Sequence, residues 1–122
     1  MKIKILLVDD EKEILDILKE WLVLEGFEVL TAQTGREFRK LALAEKPNLI
    51  VLDIHLGSDN GPAVYDELLS QGFDRRVPVI FLTGLVSEEA KSRAAAGRTY
   101  ALHTKPFNMT EIIKDIHCLV GD

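Results

Sequence analysis

The chain has 122 residues, 47% hydrophobic and 29% charged. This is an ordinary balance for a globular domain that buries roughly two-thirds of its unfolded surface. Fifteen Lys and Arg against 20 Asp and Glu give a net charge of −5, which argues against direct nucleic-acid binding or a grip on an anionic membrane, since both need clustered basic residues.

The N-terminal "MKIKILLVDDE" reaches two acids at once and lacks a small-residue cleavage site, so it does not read as a signal peptide. No apolar run approaches the length of a membrane span, and the expected location is the cytoplasm. Cys118 is the single cysteine, which leaves no disulfide framework and no thiolate metal cluster. Ile3 to Val8 is continuously apolar, as in a strand covered on both faces. In 11–25, Ile14, Leu15, Leu18, Trp21 and Leu22 share one helical face, and Trp21 is expected in or beside the core. Asp10 with Glu13 has the spacing of an N-cap and its partner acid, and Gly26 suits the helix end. "EVLTA" (28–32) reads as a strand nearer an edge. Thr34 with Glu37 opens a second helix, whose Lys and Arg over 36–46 read as a solvated face. Leu49 to Leu52 is a second continuously apolar strand, closed by Asp53.

Pro62 suits the first position of a third helix, and Gly72 its end. Val77 to Leu82 is the third apolar run, and "YALH" (100–103) a second edge strand. Between them "SEEAKSRAAA" (87–96) reads as a loosely packed helix ended by Gly97. Asn108 with Glu111 caps a last helix in which Met109, Ile112, Ile113, Ile116 and Val120 share a face. Cys118 is expected to be an inert, partly buried thiol, and His103 and His117 structural or surface residues. Strands alternating with helices predict an α/β, flavodoxin-like (βα)5 fold. Its doubly wound parallel sheet has strand order 2-1-3-4-5, and 1–122 forms one domain without repeats or linkers.

Ligands bind beyond the carboxyl ends of such strands, near the switch point. There the first strand ends in Asp9 and Asp10, the third in Asp53 and the fourth in Thr83-Gly84, while the fifth runs into Lys105-Pro106. Taken singly, each has an ordinary reading: a helix cap, a turn acid, a routine turn, a solvated lysine. Their coincidence on one edge favours function. Carboxylates about 4 Å apart repel by on the order of 4 kcal/mol per pair at an effective dielectric near 20. Raised pKa values or a divalent cation would offset this. A hard, oxygen-rich site suits Mg²⁺ (or Mn²⁺), and no Cys or His set has zinc spacing. Asp53 beside a cation suggests a covalent nucleophile towards phosphoryl groups, with Lys105 and the Thr83 hydroxyl contacting the phosphoryl oxygens.

"LLVDDE" (6–11), "VLDIHLGSDNG" (51–61), "VIFLTG" (79–84) and "KPF" (105–107) together resemble the receiver domain of bacterial two-component response regulators, over essentially the whole chain. The resemblance implies that Asp53 is the phosphoacceptor, Asp10 a direct metal ligand and Asp9 an acid acting largely through water. It also implies that the His55 backbone carbonyl completes the metal ligands and that Thr83 and Lys105 contact the phosphoryl group. The implied donor is a phosphohistidine on a sensor histidine kinase or histidine phosphotransfer protein. The implied protein is a signalling module, not an enzyme, that catalyses only its own phosphorylation and dephosphorylation. Phosphorylation shifts its conformation to control an output domain or partner, and the surface around 87–96 is the expected place for homodimerisation or docking. Receivers also commonly hold the Lys-Pro bond cis.

Three departures stand out. Gly57 occupies a position that is usually Pro. Leu102 occupies that of the usual aromatic switch residue, with Tyr100 two residues earlier on the same strand face. "FLTGL" (81–85) points to a minority subgroup. His55 is at a position that tunes phosphoryl lifetime in receivers. A flavodoxin-like cofactor binder would need a phosphate-cradling loop where "VDDEKE" stands, and a phosphatase would need a second acid at His55 and a cap. A degenerate receiver used only for binding is disfavoured by the intact acid, hydroxyl and lysine set.

Overall fold

The computed structural model describes residues 2–84 and 100–121. The expected helix over 87–96 with Gly97 at its end lies outside the described residues, as does the Tyr100 side chain on which a substitute aromatic switch would depend. The elements are β1 (Lys4–Val8), α1 (Lys12–Leu24), β2 (Glu28–Ala32), α2 (Gly35–Glu45), β3 (Leu49–Asp53), β4 (His55–Leu56), β5 (Asp59–Asn60), α3 (Gly61–Ser70), β6 (Val79–Thr83), β7 (Tyr100–Thr104) and α4 (Met109–Val120).

The five long strands form one parallel sheet in the order β2-β1-β3-β6-β7, which is the expected 2-1-3-4-5. Alternation along each strand feeds two cores. Leu6, Val8, Ile50, Leu52, Val79 and Phe81 pack with Phe38 of α2 and Tyr65 and Leu68 of α3. Ile5, Leu7, Leu49, Val51, Ile80 and Leu82 pack with Leu15, Leu18 and Leu22 of α1 and Ile112 and Ile116 of α4. Burial on both faces is why these strands read as unbroken apolar runs. Each fully buried Leu or Ile contributes on the order of 2 kcal/mol by leaving water.

Two of the three expected caps form. Thr34 Oγ1 accepts from the Glu37 N–H at 3.1 Å, Glu37 Oε1 accepts from the Gln33 N–H, and Asn108 Oδ1 accepts from the Glu111 N–H at 3.2 Å. The Asp10–Glu13 cap does not form. Glu11 is the N-cap of α1 without a side-chain bond, and Asp10 is engaged elsewhere. Asn60 caps α3, accepting from Ala63 N–H at 2.9 Å, which places Pro62 second in that helix, not first. Trp21 is 46% exposed: it lies one residue before the buried Leu22 and three after Leu18, at the margin of the buried arc. Cys118 is exposed, because α4 buries Ile112 and Ile116 and position 118 turns away from both.

One glycine fixes the end of β3. Gly61 donates its N–H to the Ile54 carbonyl at 2.8 Å, and a Cβ there would run into the carbonyl oxygen of Asp53. Only a residue without a side chain lets α3 start this close behind the strand end.

Candidate functional site

The chain reverses direction across the sheet between β1 and β3, and the acids converge at that switch point. Val8 and Leu52 are register partners, so Asp9 and Asp53, each one residue further on, leave the sheet side by side. Asp53 follows Leu52 opposite Leu82. Thr83 is the next residue of β6 and pairs with Thr104, which delivers Lys105 to the same edge. Lys105 N–H donates to the Thr83 carbonyl at 2.8 Å, and the Lys105–Pro106 bond is cis.

Asp9, Asp53 and Thr83 are all buried. Both oxygens of Asp53 are held: Oδ1 accepts from the His55 N–H at 3.2 Å and Oδ2 from Lys105 Nζ at 3.3 Å. Lys105 Nζ also lies 3.0 Å from Asp9 Oδ2 and 3.9 Å from Glu11 Oε2. Asp9 Oδ2 is buried, and Lys105 is the cation it faces. Asp9 Oδ1 accepts from the Glu11 N–H at 2.9 Å. Asp10 is exposed and accepts from the Gly57 N–H at 3.1 Å. His55 is exposed at the start of β4.

Electrostatics follow from this packing. Burial, then the negative charge of Asp9, pushes the Asp53 carboxyl up to about 7 against the pull of Lys105 and the His55 N–H. Burial also raises Asp9, opposed by the Glu11 N–H and Lys105. Burial works against the Lys105 ammonium, but the Asp9 and Asp53 carboxylates outweigh it and its pKa rises. One cation faces two buried acids, and the pair remains under-compensated.

Asp9, Asp10 and Asp53 each present an oxygen within 4.8 Å of the others. Three carboxylates, two of them buried and sharing a single ammonium, with one carboxyl pushed up to about 7, fit a hard divalent cation. Among the described residues no other cluster of this kind occurs. A groove of about 650 Å³ opens at the opposite edge, lined among others by Ala42, Lys46, Phe73 and Val77, and holds none of the expected site residues.

The sequence pattern of the response regulator receiver domain family matches residues 5–117. The chain belongs to that family. Curated relatives include the alkaline phosphatase synthesis transcriptional regulatory protein PhoP of Bacillus subtilis, 38% identical over 92% of this chain and 46% of that protein. Another is the probable transcriptional regulator ycf27 of Galdieria sulphuraria, 36% identical over 98% and 46%. The chain thus spans about half the length of the curated relatives it matches. Among solved structures, the CheY-like receiver domain protein of Methanospirillum hungatei superposes with a TM-score of 0.91 at 28% identity, covering 99% of this chain and 95% of that one. The Francisella response regulator 1452 receiver domain gives 0.88 at 28%, covering 98% of each.

In this receiver domain the five expected polar residues and His55 converge as the sequence order requires. Three contributions escaped sequence reasoning: Glu11 near Lys105, Gly61 behind the Asp53 carbonyl, and the Gly57 N–H on Asp10. Gly57 carried a signal, as a glycine where a proline is usual, but its donor role depends on a turn geometry the residue type alone does not fix. No described helix is long and apolar enough to cross a membrane.

Proposed function

We propose that residues 1–122 form one receiver domain in which Asp53 accepts a phosphoryl group from a phosphohistidine of a sensor histidine kinase or histidine phosphotransfer protein. The observation carrying this is Asp53 itself: a buried carboxylate at the switch point, held by a backbone N–H on one oxygen and an ammonium on the other. An Asp53 oxygen attacks phosphorus, the new O–P bond forms as the N–P bond breaks, and the electron pair returns to the donor imidazole. Lys105, already beside Asp53, and the Thr83 hydroxyl stabilise the charge on the transferred oxygens. Asp9, Asp10, Asp53 and the His55 carbonyl are the residues that would hold Mg²⁺ or Mn²⁺. Such a cation neutralises developing charge when bound. Hydrolysis reverses the state: water attacks the phosphorus and the Asp53 carboxylate leaves. Phosphorylation then shifts a pre-existing equilibrium that controls an output domain or partner, in the cytoplasm.

This reading assigns the phosphodonor surface to α1. Ile17, Trp21 and Leu24 are 51%, 46% and 81% exposed, and their three-and-four spacing makes a stripe that suits a partner helix. Trp21→Ser is expected to slow transfer from a protein phosphodonor at least about tenfold, the loss of one aromatic anchor. Phosphorylation by a small-molecule donor should be unchanged, and equal slowing in both assays would remove α1 from docking.

The proposal is tested by intact-mass analysis after incubation with Mg²⁺ and a small-molecule phosphodonor, beside Asp53→Asn and a metal-free control. One adduct requiring both Asp53 and the metal is expected. A folded protein giving none is a phosphorylation-independent binding module. In this reading the exposed His55 side chain screens or positions the attacking water, so His55→Ala should change the phosphoryl half-life by at least about threefold, roughly 0.6 kcal/mol in barrier. Equal half-lives would end that role.

A further inference from the structure

The loop after Asp53 is a small hairpin whose tip contacts the acid cluster. β4 and β5 pair His55 with Asn60 and Leu56 with Asp59, which leaves Gly57 and Ser58 as a two-residue turn. Gly57 has φ +61° and Ser58 is not in the positive region. The turn therefore has a positive φ at its first central position alone, which favours glycine there. That geometry aims the Gly57 N–H at Asp10 Oδ2, 3.1 Å away and 47 residues distant in the chain. It is the one hydrogen bond the Asp10 carboxylate makes among the described residues. The far strand of the hairpin is seated as well. The Asp59 carboxylate lies over the first residue of α2, where a Cβ added at Gly35 would stand 2.7 Å from Oδ2 and 3.3 Å from the Arg39 guanidinium.

We infer that Gly57 is a positioning residue for the cation site: its N–H, presented by the left-handed turn, holds Asp10 in place and so sets the Mg²⁺ affinity of the three-acid cluster. The inference rests on the proposal that this cluster holds a divalent cation. An exposed aspartate otherwise samples several χ1 wells. A bond that selects one removes an ordering cost from cation binding. It also leaves the other carboxylate oxygen open to the ion.

Calorimetric titration of Mg²⁺ into the whole chain near neutral pH tests this, with thermal melts of each protein alongside. A Cβ at Gly57 has nothing within 4 Å, so substitutions there act through the backbone. Gly57→Asn tolerates the left-handed region and keeps the N–H, and should bind Mg²⁺ within about twofold of wild type. Gly57→Val resists φ > 0, and Gly57→Pro fixes φ near −65° and has no N–H. Both should bind about fivefold more weakly, the worth of one hydrogen bond. Weak binding by the Val and Pro variants with recovery by Asn separates positioning from a general loss of structure. Equal affinities in all four proteins, or tighter binding by Gly57→Pro, overturn the inference and leave the cluster's role standing. No heat of Mg²⁺ binding in wild type overturns the cation assignment and this inference together.

Discussion

Asp53→Asn is expected to abolish the phosphoryl adduct and, in EDTA above neutral pH, to stabilise the protein. The folded Asp53 carboxyl titrates at about 7 because of burial and Asp9, while an unfolded aspartate titrates near 3.9. Below about pH 4 both states hold the proton and the difference contributes nothing. As pH rises towards 7 the unfolded chain sheds the proton while the folded chain keeps it. The stability present at low pH is therefore lost progressively, by at most about 4 kcal/mol above pH 7. Asp9 is shifted in the same direction. An asparagine has no charge to bury and its carbonyl can still accept from Lys105. The variant should melt roughly 5–10 °C higher than wild type at pH 8, and the gap should close towards pH 5. A variant no more stable than wild type at pH 8 would show that Lys105 already compensates both acids.

Lys105→Ala is expected to do the opposite. Its side chain is 18% exposed and approaches Asp9 at 3.0 Å and Asp53 at 3.3 Å. Removing it leaves two adjacent buried carboxylates without that cation. Breaking one side of a buried ion pair costs about 3–5 kcal/mol, and here the loss should be largest at pH 8 and shrink towards pH 5, as Asp53 takes up its proton. Denaturant midpoints at the two pH values measure it. A double variant, Lys105→Ala with Asp53→Asn, should recover much of the loss, since neighbouring charges couple strongly. Phosphorylation should also slow by about tenfold or more as the ammonium is lost from the transferred group. A loss that is the same at pH 5 and pH 8 would point to packing of the lysine stem instead of charge.

The strands and the site's polar residues were legible because each depends on a local rule. Runs such as Leu49 to Leu52 declare burial on both faces, and parallel topology then brings residues 9, 53, 83 and 105 to one edge without any knowledge of side-chain packing. Helix margins were less legible. Trp21 belongs to an apolar set that spans a wider arc of α1 than the sheet can cover, so at the margin of that arc it is left half-exposed. Asp10 has the residue type and spacing of a cap, but a long-range donor from Gly57 competes for its carboxylate, and no local pattern encodes a partner 47 residues away. Cys118 was misplaced for a related reason: residue type suggests a buried thiol, whereas the helix face is set by Ile112 and Ile116.

Lys105 follows β7, which among the described residues pairs with β6 alone, whereas Asp9 and Asp53 stand at the ends of central strands. On a ribosome, β1 and β3 emerge long before β7. Until the last strand docks, the two acids have no ammonium between them and remain solvated or protonated, since neither can be buried ionised on its own. Completion of the site is therefore the last event of the sheet's assembly in synthesis order. A nascent chain can hold a recognisable β1–β3 core and still be unable to assemble the charge balance at Asp53.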